Sequence, residues 1–466
     1  MPQAVGMSLT AGRTAPPRRV AAAPSRAAVS PTAALWVIAA GTVAMLWLWW
    51  RDNSSVVGFG GWLIGAGRIT GLLAGYAIIV LLALMARIPA IDRGIGTDRL
   101  ARWHAMGGRY TISLAIAHTV LIIWGYAVLA HTGVVRETAT MLTSYPDVLM
   151  ATVGLGLLVL VGVVSARAAR RRLEYETWHF VHFYVYLAVA LAFSHEFATG
   201  SDFRDRTTRI AWSALYVAVA ACLVWYRVVT PLRAARRNQL RVTRVVRESS
   251  DVVSVYLTGR HVAGLRAEPG QFFRWRFLTR DLWWAANPYS LSAVPVGDTL
   301  RITVKFSGKH SRSLKRVRPG TRVIAEGPYG SFTAARRRRR RVLLVAAGIG
   351  ITPLRTLFES LPGEPPDVAL VYRASTVEDL VLRGELDHIA ARRGAAVHYV
   401  VGRRRRNGTD PLTVDRIVRL VPDVRSRDVY LCGPRGLVSR LTAELRHLGV
   451  PSASIHSEAF ELEPIR

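Results

Sequence analysis

Two apolar stretches of this 466-residue chain each carry a pair of histidines, and these four residues point most directly to chemistry. In WHAMGGRYTISLAIAHTVLIIWGY, residues 103–126, His104 and His118 stand fourteen residues apart. On a helix that spacing is roughly 21 Å and returns nearly to the same face. In WHFVHFYVYLAVALAFSHEF, residues 178–197, His182 and His195 stand thirteen apart. A lone histidine in an apolar helix more often bonds a neighbouring helix than a metal. Matching pairs on two segments shift that balance, because polar residues inside a membrane are costly and are usually kept for a function. Imidazole on each side of an iron is a haem ligation mode, and facing helices are where bundles build cofactor sites. Four histidines at two depths therefore predict two stacked metal sites, His104 with His182 and His118 with His195. The register carries one conflict: thirteen steps of ideal helix put His182 and His195 on nearly opposite faces. His179 has no histidine at either spacing, so the reading requires a tilt or a π-bulge in that segment.

Elements able to position these residues follow from the hydropathy. The chain is 51% hydrophobic with mean hydropathy +0.22. Apolar segments at about 33–50, 61–86, 108–130, 147–165, 179–198 and 209–229 predict six transmembrane helices. Residues 1–32, rich in Ala, Pro, Ser and Arg, read as a disordered cytoplasmic tail. A signal peptide fits less well, since Ala33 to Trp50 is nearly long enough to span and no small-residue cleavage site follows soon after. Arginines alternate between loops: Arg13, Arg18, Arg19 and Arg26 in the tail, Arg87, Arg93, Arg99 and Arg102 in the second loop, and Arg167, Arg170, Arg171 and Arg172 in the fourth. The other loops are poorer, with Arg51, Arg136, and Arg204 with Arg206. The positive-inside rule then makes both termini cytoplasmic in a multi-pass plasma-membrane protein, with His104 and His182 near the inner surface.

Formal net charge is +31, with arginine runs at 336–341 and 403–406. No stacking or groove-reading motif accompanies them, which excludes a nucleic-acid partner and leaves basic loops facing a bilayer. Cys222 and Cys432 are too few for a disulfide framework or an iron–sulfur cluster.

Beyond Arg227 the composition becomes that of a soluble protein. The runs RVTRVV, VVSVYLTG, QFFRWRF and LRITVKF, between turn-forming Gly, Pro and Asp, predict a small antiparallel β-barrel over 240–335. From about 340 to 466, strands alternate with helical stretches, which predicts an α/β domain with a parallel sheet. The expected fold class is thus multi-domain: a six-helix transmembrane bundle over 33–230, the barrel, then the nucleotide-binding domain.

The motifs here are local. In AGIGITP, Gly348 and Gly350 follow a buried strand and open a helix, where bare backbone and a helix N-terminus suit a pyrophosphate. CGP, Cys432 to Pro434, ends the strand DVYL, and ligands sit at such strand ends. In NPYSLS, Tyr289 can stack on a flat ring while Ser290 bonds its edge. PGQF (269–272) and GPYG (327–330) are glycine turns of the same domain. Arg373, in VYRAS, is placed to meet a 2′-phosphate, favouring NADPH over NADH, with an exposed arginine as the plain alternative.

NPYSLS, GPYG, AGIGITP and CGP, in this order and spacing, resemble the ferredoxin–NADP reductase superfamily. With the histidine-bearing six-span domain in front, the chain from 33 to 466 is similar to the ferric reductase and NADPH oxidase family of membrane flavocytochromes b. The resemblance implies that His104, His118, His182 and His195 are axial ligands of two b-type haems. It implies that Tyr289 and Ser290 contact the ring of FAD, and that Lys305, Ser311, Ser313, Gly327 and Gly330 surround its tail. Gly348, Gly350, Thr352, Cys432 and Gly433 would line the nicotinamide nucleotide site, with Phe460 in SEAFEL covering the flavin. Two features depart from the family pattern: Asn287 stands where many relatives have His or Arg, and no EF-hand loop precedes the barrel. The implied activity is an NAD(P)H-dependent oxidoreductase carrying electrons outward, with cofactors performing the chemistry and no acid–base residue needed. Its acceptor stays open among a ferric chelate, which the lack of regulatory domains favours, dioxygen giving superoxide, and a periplasmic protein. A haem-free membrane anchor or transporter is the alternative from another class.

Overall fold

The computed structural model describes residues 28–51, 56–166, 173, 175–403 and 410–460. Residues 1–27 of the expected tail, Arg167 and Arg170–Arg172 of the fourth loop, and Arg404–Arg406 lie outside them. Among the described residues, six helices are apolar and long enough to cross a membrane: Pro31–Arg51, Gly58–Leu84, Arg99–Leu129, Val148–Ser165, Thr177–Thr199 and Arg206–Asn238. The first opens at Pro31, inside the stretch assigned to the tail, because proline suits a first helical turn whose N–H has no partner anyway. The sixth runs past the expected boundary at 230 to Asn238; at 33 residues it reaches roughly 50 Å and carries the chain into the next domain.

Small residues bring the second and third spans together. A Cβ built on Gly125 would lie 2.9 Å from the Ile64 nitrogen, and one on Gly60 would lie 3.2 Å from the Gly125 carbonyl. Backbones approach closely only where such side chains are missing. The fifth span is interrupted at Phe183, between Tyr175–His182 and Tyr184–Thr199. The Phe183 N–H donates to both His179 (3.3 Å) and Phe180 (3.1 Å) carbonyls, a tightened turn inside the helix. The expected π-bulge is therefore not in this segment; its irregularity is a tightened turn, which overwinds the helix rather than bulging it. A π-helical turn occurs elsewhere, at Trp225–Val229 in the sixth span.

Strands β1 (Arg241–Arg247), β2 (Val252–Thr258), β3 (Phe272–Phe277), β4 (Asn287–Ser290), β5 (Thr299–Lys305) and β6 (Val323–Tyr329) form two antiparallel sheets, ordered β1-β2-β5 and β4-β3-β6. Single bridges, Leu291 to Ile302 and Arg241 to Arg322, join the sheets into an incompletely closed barrel. Alternation along β3 turns Phe273, Trp275 and Phe277 into its core.

The last domain is a five-stranded parallel sheet, ordered β11-β10-β7-β8-β9, from β7 (Val342–Ala347), β8 (Val368–Ala374), β9 (Ala396–Val401), β10 (Asp428–Pro434) and β11 (Ile455–Phe460). Its central strands are apolar on both faces: Leu344, Leu370 and Tyr430 pack one way, Leu343, Val371 and Leu431 the other. Both faces are therefore covered, as a parallel sheet requires. Chain order reverses between β7 and its neighbours β8 and β10, so a crevice opens where β7 and β10 end.

Candidate functional site

The break at Phe183 and the close packing of the second and third spans position the histidines. His104 faces His182 with ring centroids 6.0 Å apart, and His118 faces His195 at 6.3 Å. Two imidazoles bound to one metal at about 2.0–2.1 Å each, with about 1.1 Å from nitrogen to ring centre, put their centroids roughly 6.3 Å apart. Both pairs have that separation. All four Nδ1 atoms are also engaged: His118 with the Gly67 carbonyl at 2.7 Å, His104 with that of Leu81 at 3.3 Å, His182 with Ser165 Oγ at 3.5 Å, and His195 with the Ala192 carbonyl. For His104, His118 and His195 the partner is a carbonyl, so Nδ1 carries the proton and Nε2 is the free ligand; at His182 the Ser165 hydroxyl can take the same acceptor role. Gly71 leaves the room: a Cβ there would lie 2.6 Å from His118 Nδ1. The residues present fit a metal held between each pair, and an iron porphyrin supplies its other ligands itself.

Sequence reasoning missed the residues that support these rings. The acceptors are mostly backbone carbonyls, which leave no mark on side-chain type. It also passed over Glu196, beside His195, which accepts hydrogen bonds from Trp212 Nε1 (2.6 Å) and Tyr216 Oη (3.2 Å). Arg68, next to Gly67, pairs with buried Asp202. An acidic residue inside an apolar span was the available signal for Glu196.

One end of the bundle meets the barrel domain. Arg227 Nε donates to the Met85 carbonyl at 2.8 Å, and Arg87 lies 5.2 Å from the ring of Tyr329 in GPYG. The His104–His182 pair is the one at this end, since His104 bonds Leu81 of the same helix end.

In the barrel, Ser290 Oγ is buried with no hydrogen-bond partner among the described residues. Such a buried hydroxyl in a native fold takes a partner from outside the chain, a ligand group or a water. Beside it, burial pushes the Tyr289 phenol up, which keeps it a neutral ring. Ser311 is spent locally, accepting from the Ser307 (2.9 Å) and Gly308 (3.1 Å) N–H groups, and Ser313 accepts from Arg316. Gly327 leaves space for Phe273, which a Cβ would approach to 2.8 Å, and Gly330 sits at φ +91°. Lys305 pairs with Asp251 at 3.1 Å and lines the crevice of the next domain rather than the Tyr289 side.

That crevice is lined by Gly348, Arg373, Gly433, Pro434 and Phe460 among others. AGIG and CGP lie back to back in it: a Cβ on Gly433 would meet Ala347 Cβ at 2.8 Å, and one on Gly350 would meet the Gly433 nitrogen at 2.8 Å. Gly348 has φ +54°, so its glycine serves the backbone turn. Thr352 is buried and bonds the Ile349 carbonyl at 3.1 Å, closing the first helical turn. Burial pushes the Cys432 thiol well up, which leaves it a protonated, small apolar wall. Parallel pairing sets Phe460 opposite Pro434. Arg373 is not a free cation: it pairs with Asp410 at 3.2 Å and bonds Ser375 at 3.3 Å.

Two contacts fix the soluble domains to each other. The Gly270 N–H of PGQF donates to Thr356 Oγ1 at 2.9 Å, and Glu385 receives Arg301 (2.8 Å) and Arg355 (2.9 Å) from the two sides.

An apolar six-helix bundle ending in a barrel and a nucleotide crevice is the architecture of a multi-pass membrane oxidoreductase. Residues 70–193 match the family described as ferric reductase like transmembrane component, and residues 344–442 match the oxidoreductase NAD-binding domain. Similar curated proteins include a flavohemoprotein of Oceanobacillus iheyensis, 25% identical over 281 residues (55% of this chain, 68% of that one). An NADPH oxidoreductase of Mycobacterium tuberculosis is 27% identical over 245 residues (51% and 63%). A flavohemoprotein of Pseudomonas aeruginosa is 30% identical over 267 residues (54% and 67%). The chain thus spans about two thirds of the length of these relatives. It belongs to the reductases that join a ferric reductase-like transmembrane component to a FAD- and NAD-binding module of ferredoxin-reductase type. Binding of FAD and NAD(P)H and NAD(P)H-dependent electron transfer follow from that membership.

Proposed function

We propose that the protein is a plasma-membrane oxidoreductase that passes electrons from cytoplasmic NAD(P)H, through FAD and two b-type haems, to an acceptor at the outer face, most simply a ferric chelate. The observation that carries this reading is the pair of facing imidazoles at each of two depths, every Nδ1 already engaged. Bound FAD exchanges hydride with the nucleotide as a two-electron carrier and bound haem iron takes single electrons, so the first splits what the second can carry. The protein's own part is to bind and orient. His104 with His182 and His118 with His195 would hold the two haems, the first pair at the barrel end of the bundle. Tyr289 and the unpartnered Ser290 hydroxyl would hold the flavin ring, with Gly327 and Gly330 leaving room for its tail. Gly348, Gly350, Thr352 and Gly433 would admit the nucleotide, while Phe460 and the neutral Cys432 thiol would wall the nicotinamide end. The arginine-rich second loop, meeting the barrel through Arg87, supports cytoplasmic termini.

Haem per polypeptide tests the reading. Purified protein from haem-replete cells should contain about two, and His104→Ala and His118→Ala should each lose one while FAD is retained. A haem-free wild-type protein, or variants with unchanged haem, would overturn it. With haem present, ferric-chelate reduction against superoxide release, each driven by NADPH and then NADH, decides the acceptor.

A further inference from the structure

The turn between β3 and β4 exposes large apolar side chains on a soluble domain. Leu278, Trp283 and Trp284 are 43%, 58% and 43% exposed, whereas Leu282 between them is buried in the barrel core at 2%. The turn is ordered by its own backbone: the Leu282 and Trp283 N–H groups both donate to the Thr279 carbonyl, at 3.3 and 3.1 Å. With Leu282 anchored inward, the two indoles are held outward, not left loose. Trp284 is further fixed by its Nε1–H on the Asp281 carbonyl at 3.1 Å. Leaving two tryptophans in water wastes their burial energy, so a persistent patch of this kind marks an interaction surface.

Its place in the fold identifies the partner. Arg274 and Arg276 project from one face of β3, since side chains two apart share a face. That face holds the turn, with Arg274 bonding the Ala286 carbonyl (3.2 Å) and Arg276 that of Trp283 (3.3 Å). Both arginines also face Glu326 of β6, at 3.6 and 3.7 Å. Three residues on from Glu326, Tyr329 receives Arg87 from the loop that ends the second span. The turn is therefore continuous with the junction between barrel and transmembrane helices. Trp225, near the inner end of the sixth span, is half exposed beneath Arg233 at 4.6 Å. Exposed Arg280, beside the indoles, adds the charge that suits anionic headgroups.

We propose that residues 278–286 form a membrane-interface anchor: Leu278, Trp283 and Trp284 enter the headgroup region of the inner leaflet and fix the flavin domain against the bilayer. Tryptophan is favoured at this depth because its ring is apolar and its N–H is not. The inference rests on the six-span architecture and is independent of haem content.

Site-directed spin labelling of the full-length protein in nanodiscs of mixed neutral and anionic phospholipid tests it. In a Cys222→Ser background, with Cys432 buried and unreactive, single cysteines replace Trp283, Arg280 and, as a control on the nucleotide-binding domain, exposed Val377. Retained flavin absorbance shows that each variant is folded. The label at 283 should be relaxed more by lipid-dissolved oxygen than by a water-soluble nickel chelate, and the label at 377 should show the reverse. At 280, in place of a charged residue, nickel accessibility should fall severalfold below that at 377. Labels at 283 and 280 as open to nickel as the one at 377 would overturn the anchor and leave the patch to a protein partner. Because 280 reports on the same surface without removing an indole, loss of flavin in the 283 variant alone does not protect the proposal.

Discussion

Replacing Gly350 by alanine puts a methyl group where the two nucleotide motifs touch. Its Cβ would lie 2.8 Å from the Gly433 nitrogen and closer still to the Cys432 carbonyl, and both belong to strand β10. Ordinary contact needs about 3.4 Å or more, so backbone, not a pliable side chain, must yield by over half an ångström. Overpacking costs about 1–3 kcal/mol, and a strand paired on both sides pushes this case to about 2–3 kcal/mol. At about 4 °C per kcal/mol for a domain of this size, its unfolding midpoint should fall by about 8–12 °C. Gly348→Ala is the internal control. Nothing lies within 4 Å of a Cβ at Gly348, and only φ +54° opposes it, for about 1 kcal/mol and a fall of about 4 °C. Calorimetry in detergent reads both, with the nucleotide-domain transition identified by its upward shift under saturating NADP⁺ or NAD⁺. In Gly350→Ala the displaced turn should also raise the nucleotide KM about tenfold, or 1.4 kcal/mol. A Gly350→Ala protein as stable as Gly348→Ala, with unchanged KM, would refute the claim that close approach of AGIG and CGP builds the site.

Three further perturbations follow. Gly71→Val drives side-chain atoms into the space held by His118 Nδ1, 2.6 Å from a Cβ at 71, and should remove the haem proposed at His118, as His118→Ala should, while NADPH oxidation with a soluble artificial acceptor persists. Asp410→Asn frees Arg373 from its carboxylate partner and should raise the ratio of kcat/KM for NADPH over NADH about tenfold, a 2′-phosphate then meeting an unpaired arginine; Arg373→Ala should lower it. Burial alone would raise the Glu385 carboxyl, but the hydrogen bonds and charges of Arg301 and Arg355 outweigh it and hold it below its ordinary 4.5. Its stabilisation is thus complete above that value and is lost as pH falls through the lower folded-state value. Glu385→Gln should cost about 2 kcal/mol at pH 7, less than a fully buried pair because the carboxylate is over a third exposed, and the gap from wild type should narrow as pH falls below the ordinary carboxyl value and close once the folded-state carboxyl is protonated. A gap that is constant with pH would refute the ionic link.

Much of the architecture could be read from residues alone, because hydropathy length and β alternation are one-dimensional signals. The six spans and the domain order are of this kind. β4 and β6 were not legible as strands, since NPYS is four residues with a proline and EGPY is broken by Gly-Pro; tertiary pairing with β3 makes them strands. β11 was hidden because IHSEAF is a partly exposed edge strand with no buried apolar run, paired with β10 alone. At the histidines the thirteen-residue spacing exposed a conflict without locating the irregularity behind it, and the interruption found in that segment is the shared N–H at Phe183. The pairing of Arg373 with Asp410, 37 positions on, and of Arg301 with Glu385 across domains leaves no local pattern, so a nucleotide-binding arginine read from VYRAS looked unpaired until the fold closed.

The central claim is one continuous path from nucleotide to the facing imidazoles. Its most direct test is an anaerobic difference spectrum of purified, FAD-replete protein, NADPH-reduced minus oxidised, repeated with NADH. Sharp b-type haem bands matching the full dithionite amplitude are the predicted result. Haem reduced by dithionite and by neither nucleotide, or no haem bands with any reductant, would contradict it.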